Sequence, residues 1–71
     1  MPTTALTGTR LREKRLSLGL KQGDVAAGAE ISPSYLNLIE HNRRKVTPSV
    51  LVRLAGALGV DPQALAEGAG A

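Results

Sequence analysis

The same two-residue signal occurs at three places in the chain: Ser32-Pro33, Thr47-Pro48 and Asp61-Pro62. A short polar side chain accepts hydrogen bonds from the orphan N–H groups at a helix start. Proline suits the next position, where its missing N–H is not needed and its fixed φ is already helical. Each signal therefore opens a new, short helix.

Apolar periodicity fills in the rest. A first helix is expected from Thr7 or Gly8 to Leu18, with Leu11, Arg15 and Leu18 at i, i+4 and i+7 on one face. Gly19 then stands where a C-terminal glycine belongs. A second helix covers about residues 22–28, with Val25 and Ala26 turned inward, and the small Ala26 lets a neighbouring helix approach closely. A third runs from Pro33 to about His41, capped by Ser32. The fourth runs from Pro48 to Leu58, with Val50, Leu51, Leu54, Ala55 and Leu58 as its inward stripe and Gly59 closing it. A last short helix follows Pro62, anchored by Leu65. No segment alternates with the period of a strand, so the fold class is all-α, a compact bundle of five short helices. Residues 1–7 form an arm, 8–66 the domain, and 67–71 a flexible tail or the start of a linker.

A chain of 71 residues is a single domain near the lower limit for folding without staples. The absence of cysteine removes disulfides and thiolate metal sites, and the default compartment is a reducing cytoplasm. No apolar run approaches the ~20 residues of a membrane span, and nothing resembles a signal peptide. The net charge of +3 suits nucleic acid or an acidic membrane surface. Tyr35 is the one aromatic residue, which argues against stacking single-stranded bases and leaves an aliphatic core. No Ser–His–acid spacing, phosphate-binding glycine loop or carboxylate pair is readable, so no enzyme is expected. His41 stands alone, so neither a metal nor a cofactor is implied.

Residues 22–39 have the length and spacing of a helix-turn-helix, with small Ala26 in its first helix, apolar Ile31 in the turn, and Leu36 and Ile39 as anchors in the second. At 100° per residue, Leu36, Ile39 and Glu40 share the core side, while Ser34, Leu38 and His41 point away, flanked by Asn37. On that outer face Leu38 can meet a thymine methyl, Asn37 can pair with adenine, and Ser34 can bond to several base edges. The plainer readings are an ordinary exposed leucine, and an asparagine facing phosphate or solvent. Arg43, Arg44 and Lys45 follow directly, where a DNA backbone would pass. Tyr35 lies to the side, either structural or directing its hydroxyl at a phosphate. His41 is expected at a phosphate. Lys21 and Asn42 complete the expected phosphate-contacting set. Arg15 and Glu40, on core-facing sides, are expected to pair.

Through "RLREKRLSLGLKQGDVA", "ISPSYLNLIEHNRRK" and "TPSVLVRLAGALGVDPQAL", about residues 8–66, the chain resembles the lambda-repressor-like, or Cro/C1-type (Xre), helix-turn-helix regulators. The resemblance implies a lambda-repressor-like bundle that binds double-stranded operator DNA as a homodimer. It implies that Gln22 contacts a phosphate, that Arg15 and Glu40 form a partly buried ion pair, and that Pro33, Ser34, Asn37 and Leu38 face base edges. "SPSYLNLIEHNRR" looks most like bacterial regulators that carry this domain at the N-terminus of a much longer chain, some responding to short-chain acyl metabolism. An effector would then act through a missing C-terminal domain. Two positions depart from the family pattern: Glu30 replaces the usual turn glycine, and Asn42 stands where glycine often follows the third helix. The expected dimer surface is the flank of the fourth helix and the fifth, with Val50, Val52, Pro62 and Leu65. The alternative reading is a protein-interaction module, such as an antitoxin or coactivator, whose Leu38 contacts protein.

Overall fold

A computed structural model describes residues 7–66 of the chain. Five helices follow one another: α1 (Thr7–Ser17), α2 (Gln22–Gly28), α3 (Pro33–Glu40), α4 (Pro48–Leu58) and α5 (Pro62–Ala66). No strand occurs among the described residues. The all-α, five-helix expectation stands. The expected arm loses Thr7 to α1, and the rest of it, with the tail 67–71, lies outside the described residues.

The cap-then-proline signals act as chemistry requires. Ser32 Oγ accepts from the Tyr35 N–H at 3.0 Å, and Thr47 Oγ1 accepts from the Val50 N–H at 3.3 Å. Asp61 Oδ1 accepts from the Gln63 N–H at 2.9 Å. His41 is the residue that ends α3 rather than part of it.

The helix ends share one device. After each of α1 to α4 comes a residue with positive φ: Gly19 at 69°, Glu30 at 60°, Asn42 at 60° and Gly59 at 73°. The next N–H then reaches back to a carbonyl of the last turn: Leu20 to Arg15 at 3.1 Å, Ile31 to Ala26 at 2.9 Å, Arg43 to Leu38 at 2.8 Å and Val60 to Ala55 at 2.9 Å. This is the Schellman closure, which satisfies end carbonyls and reverses the chain. The two departures from the family's glycines thus keep the turn and accept its strain; Asn tolerates left-handed backbone better than Glu.

The closure also corrects the reading of α1. Leu18 is 45% exposed, because the chain reverses right after it. Leu20, the residue past the left-handed turn, packs against the core instead.

The core is aliphatic: Leu11 from α1, Val25 and Ala26 from α2 with Ala29 just after it, Leu36 and Ile39 from α3, Leu54, Ala55 and Leu58 from α4, and Leu65 from α5. Val50 and Leu51, expected inside, are only half-buried at its edge. Helix α2 packs on both α3 and α4, and α1 spans α3, α4 and α5. Small residues permit these close approaches. Ala26 is fully buried, and a Cβ on Gly28 would come within 3.1 Å of the Ala57 Cβ. A Cβ on Gly8 would overlap the Ile39 carbonyl, so only glycine lets the start of α1 lie against the end of α3.

One ionic contact ties α1 to α3. Arg15 Nε donates to Glu40 Oε2 at 2.7 Å and Arg15 Nη2 to Glu40 Oε1 at 3.0 Å, with side-chain exposures of 11% and 1%. Arg15 Nη1 also donates to the Leu20 carbonyl at 3.0 Å, at the α1 turn. The hydrogen bond to Glu40 pushes the Arg15 pKa up, against a smaller opposing effect of burial.

Replacing Glu40 with alanine leaves Arg15 partly buried without its partner. Glu40→Ala should lower stability by about 3 kcal/mol, a fall in Tm of roughly 10 °C or more for a domain this small. A thermal melt within about 2 °C of the parent would contradict this. Glu30→Gly removes the strain of a left-handed glutamate but adds freedom to the unfolded chain. The net gain should be about 0.5 kcal/mol, seen as a Tm raised by a few degrees.

Candidate nucleic-acid interface

Helix α3 is held from beneath and bare above. Leu36, Ile39 and Glu40 are buried, whereas Pro33, Ser34 and Asn37 are exposed and Leu38 is half-buried. Pro33, Ser34, Asn37 and Leu38 line one shallow groove together with Gln22 from the start of α2. The four residues expected at base edges therefore share a surface. Leu38 lies deeper than expected, as part of the groove wall rather than at a crest.

Gln22 belongs to this surface by hydrogen bonding as well as by position. Its Nε2 donates to Glu40 Oε1 at 3.2 Å and to Asn37 Oδ1 at 3.3 Å. The buried ion pair is thereby continued outward, from Arg15 through Glu40 and Gln22 to Asn37. No periodicity within a helix could reveal this link, because it joins side chains on α2 and α3.

The flanking residues are placed as follows. Tyr35 is half-buried and packs against the core. His41 Nδ1 lies 2.8 Å from the Asn37 carbonyl; a carbonyl only accepts, so Nδ1 donates and Nε2 is left for any outside partner. An Nε2 bond to a phosphate oxygen then requires the doubly protonated ring. Asn42 Nδ2 donates to Thr9 Oγ1 at 2.9 Å, tying the turn after α3 to α1. Lys21 is exposed immediately before α2.

Arg43, Arg44 and Lys45 are all exposed. At the other three helix-end turns the residue after the positive-φ position is apolar: Leu20, Ile31 and Val60, each packed on the core. At the α3 end the equivalent residue is Arg43. A position that elsewhere staples the turn to the core here displays an exposed cation. Arg10, by contrast, turns the other way: its Nη1 donates to the Ala64 carbonyl at 3.2 Å, bridging α1 and α5.

Residues 11–65 match a family described as helix-turn-helix. The chain is 48% identical over 54 residues to the HTH-type transcriptional regulator RamB of Mycobacterium tuberculosis, covering 76% of this chain and 11% of that protein. It is 44% identical over 54 residues to the propionyl-CoA carboxylase regulator of Cereibacter sphaeroides, covering 76% of this chain and 12% of that protein. In structure it is similar to the P22 c2 repressor solved in complex with a synthetic operator: TM-score 0.80, 26% identity, 87% of this chain and 94% of that one covered. The chain thus spans only 11% to 12% of the length of the two regulators.

Proposed function

The chain belongs to the Cro/C1-type (Xre-like) helix-turn-helix family, and from that premise we propose that it is the sequence-specific, double-stranded-DNA-binding unit of a bacterial transcription regulator. One observation carries the reading: α3 is fixed by Leu36, Ile39 and the Arg15–Glu40 pair while Pro33, Ser34, Asn37 and Leu38 line an open groove, and the exposed Arg43, Arg44 and Lys45 follow directly in the chain. That is what a recognition helix requires, a rigid mount with a free polar face and cations where phosphates pass.

In this reading residues 33–40 enter the major groove. Ser34 and Asn37 bond to base edges, Leu38 and Pro33 supply apolar contact, and Leu38 meets a thymine methyl. Arg43, Arg44, Lys45 and Lys21 neutralise phosphates. Tyr35 through its hydroxyl, His41 through Nε2–H and Asn42 through the second proton of Nδ2 add polar contacts along the backbone. The protein would act on the chromosome, in the cytoplasm.

The domain would work as a homodimer on half-sites about 34 Å apart. Val52, 56% exposed on α4, supports a partner-facing surface there, and the other candidates Val50 and Pro62 are half-buried. Leu65 drops out of that surface, because it is buried in the domain's own core. An effector would act through a further region outside this chain, and the propionyl-CoA carboxylase regulator supports control of short-chain acyl metabolism.

Selection from a random duplex library should return a consensus; recovery of unrelated sequences would remove sequence-specific binding by this domain alone. Arg43→Gln and Arg44→Gln should each flatten the log–log dependence of affinity on salt by about 0.9, one phosphate contact apiece. An unchanged slope in both would put these arginines away from the DNA. Leu38→Lys should alter base preference beside one thymine, and an unaltered consensus would remove Leu38 from the groove.

A further inference from the structure

Resting on that DNA-binding reading, we infer that Gln22 locks the Asn37 amide in one orientation, so that Asn37 reads its base as a hydrogen-bond donor and selects against cytosine. The argument starts at the buried pair. Glu40, gripped by Arg15 through both oxygens, can only accept hydrogen bonds there. Its Oε1 lies 3.2 Å from the Gln22 amide, so the end of Gln22 that faces it must be the NH2 group. The same nitrogen lies 3.3 Å from the Asn37 amide. A group that donates must meet an acceptor, so Asn37 turns its oxygen to Gln22. Flipping either amide would set donor against donor or acceptor against acceptor.

The charge on Arg15 therefore fixes, through Glu40 and Gln22, which end of Asn37 is presented. With Oδ1 held toward Gln22, Nδ2 is directed away from it, and the exposed Asn37 lines the groove with Ser34 and Leu38. An unconstrained asparagine turns its amide over to suit either kind of base edge. A locked one offers N–H at that point. Adenine and guanine N7, guanine O6 and thymine O4 all accept in the major groove, whereas cytosine presents only its N4 amine. Cytosine is the base whose edge cannot answer a donor. Both protons of the Gln22 amide are engaged within the protein, so this side chain is a positioning residue rather than a phosphate donor.

The test is duplex-library selection with the parent chain, Gln22→Met and Asn37→Asp. The parent should deplete cytosine roughly tenfold at one half-site position, within the range of a well-placed base contact. Gln22→Met keeps the side chain's length but frees Asn37, and the depletion should shrink to about two- to threefold at that position alone. Asn37→Asp replaces the donor with acceptors, and the preference there should shift toward cytosine. If Gln22→Met weakens all sites equally with every preference intact, Gln22 is a phosphate contact and the lock is overturned. If Asn37→Asp leaves the preferences unchanged, the base assignment is overturned. A parent chain without any consensus would instead overturn the DNA-binding reading itself. The free chain gives an independent check: the Gln22 side-chain amide protons should exchange with water more slowly than those of the exposed Gln63, and equal rates would overturn the lock.

Discussion

The bidentate bond between Arg15 and Glu40 is the contact on which the rest of the molecule depends. Helix α3 spans only eight residues, too few to be stable alone, and it must be held at a defined angle to be of use. Leu36 and Ile39 supply the apolar part of that hold, about 1.5–3 kcal/mol each for full burial. Apolar contact is not directional, and two aliphatic side chains leave a short helix free to roll. The guanidinium–carboxylate fork removes that freedom, because two parallel bonds demand one relative orientation. The same guanidinium closes the α1 turn through the Leu20 carbonyl, and the same carboxylate receives Gln22. Much of the pair's Coulomb energy offsets its own desolvation. Its contribution lies in geometry: it sets where the outer face of α3 points and which way the polar groups on that face are turned.

Around this pair the chain repeats one construction. Polar caps and prolines open α3, α4 and α5, and left-handed residues with a returning hydrogen bond close α1 to α4. Each closure projects the following side chain in a defined direction. Where that side chain is Leu20, Ile31 or Val60, it joins the core. Where it is Arg43, it begins the exposed basic run that follows α3. Core packing and an exposed cation are thus produced by the same local device, differing in one side chain.

What was legible in the sequence follows the range of the interaction. The bounds of α2 and α4, the caps at Ser32 and Thr47, and the left-handed glycines at 19 and 59 are set by neighbours along the chain, and they were readable. The all-α fold and the family followed from the anchors Ala26, Ile31, Leu36 and Ile39 taken with the pair Arg15 and Glu40. Leu18 misled because helical periodicity has no knowledge of where a helix stops; the turn at Gly19 passed its place to Leu20. Leu65 was expected on a surface between copies, although it is the α5 side chain that a chain this short needs for its own core. The engagement of Gln22 with Asn37 and Glu40, of Asn42 with Thr9 and of Arg10 with Ala64 depends on how separate helices meet. The first of those contacts carries the finer content of the site, and all three exist only in three dimensions.

The central claim is that the uncovered face of α3, mounted on the Arg15–Glu40 pair, is the surface that meets DNA. The most direct measurement is an NMR titration of the isotope-labelled chain with a duplex carrying its selected site. The account predicts the largest shifts at Ser34, Asn37 and Leu38, followed by residues 43–45. Shifts gathered on the Arg10–Ala64 side, with α3 silent, would contradict it.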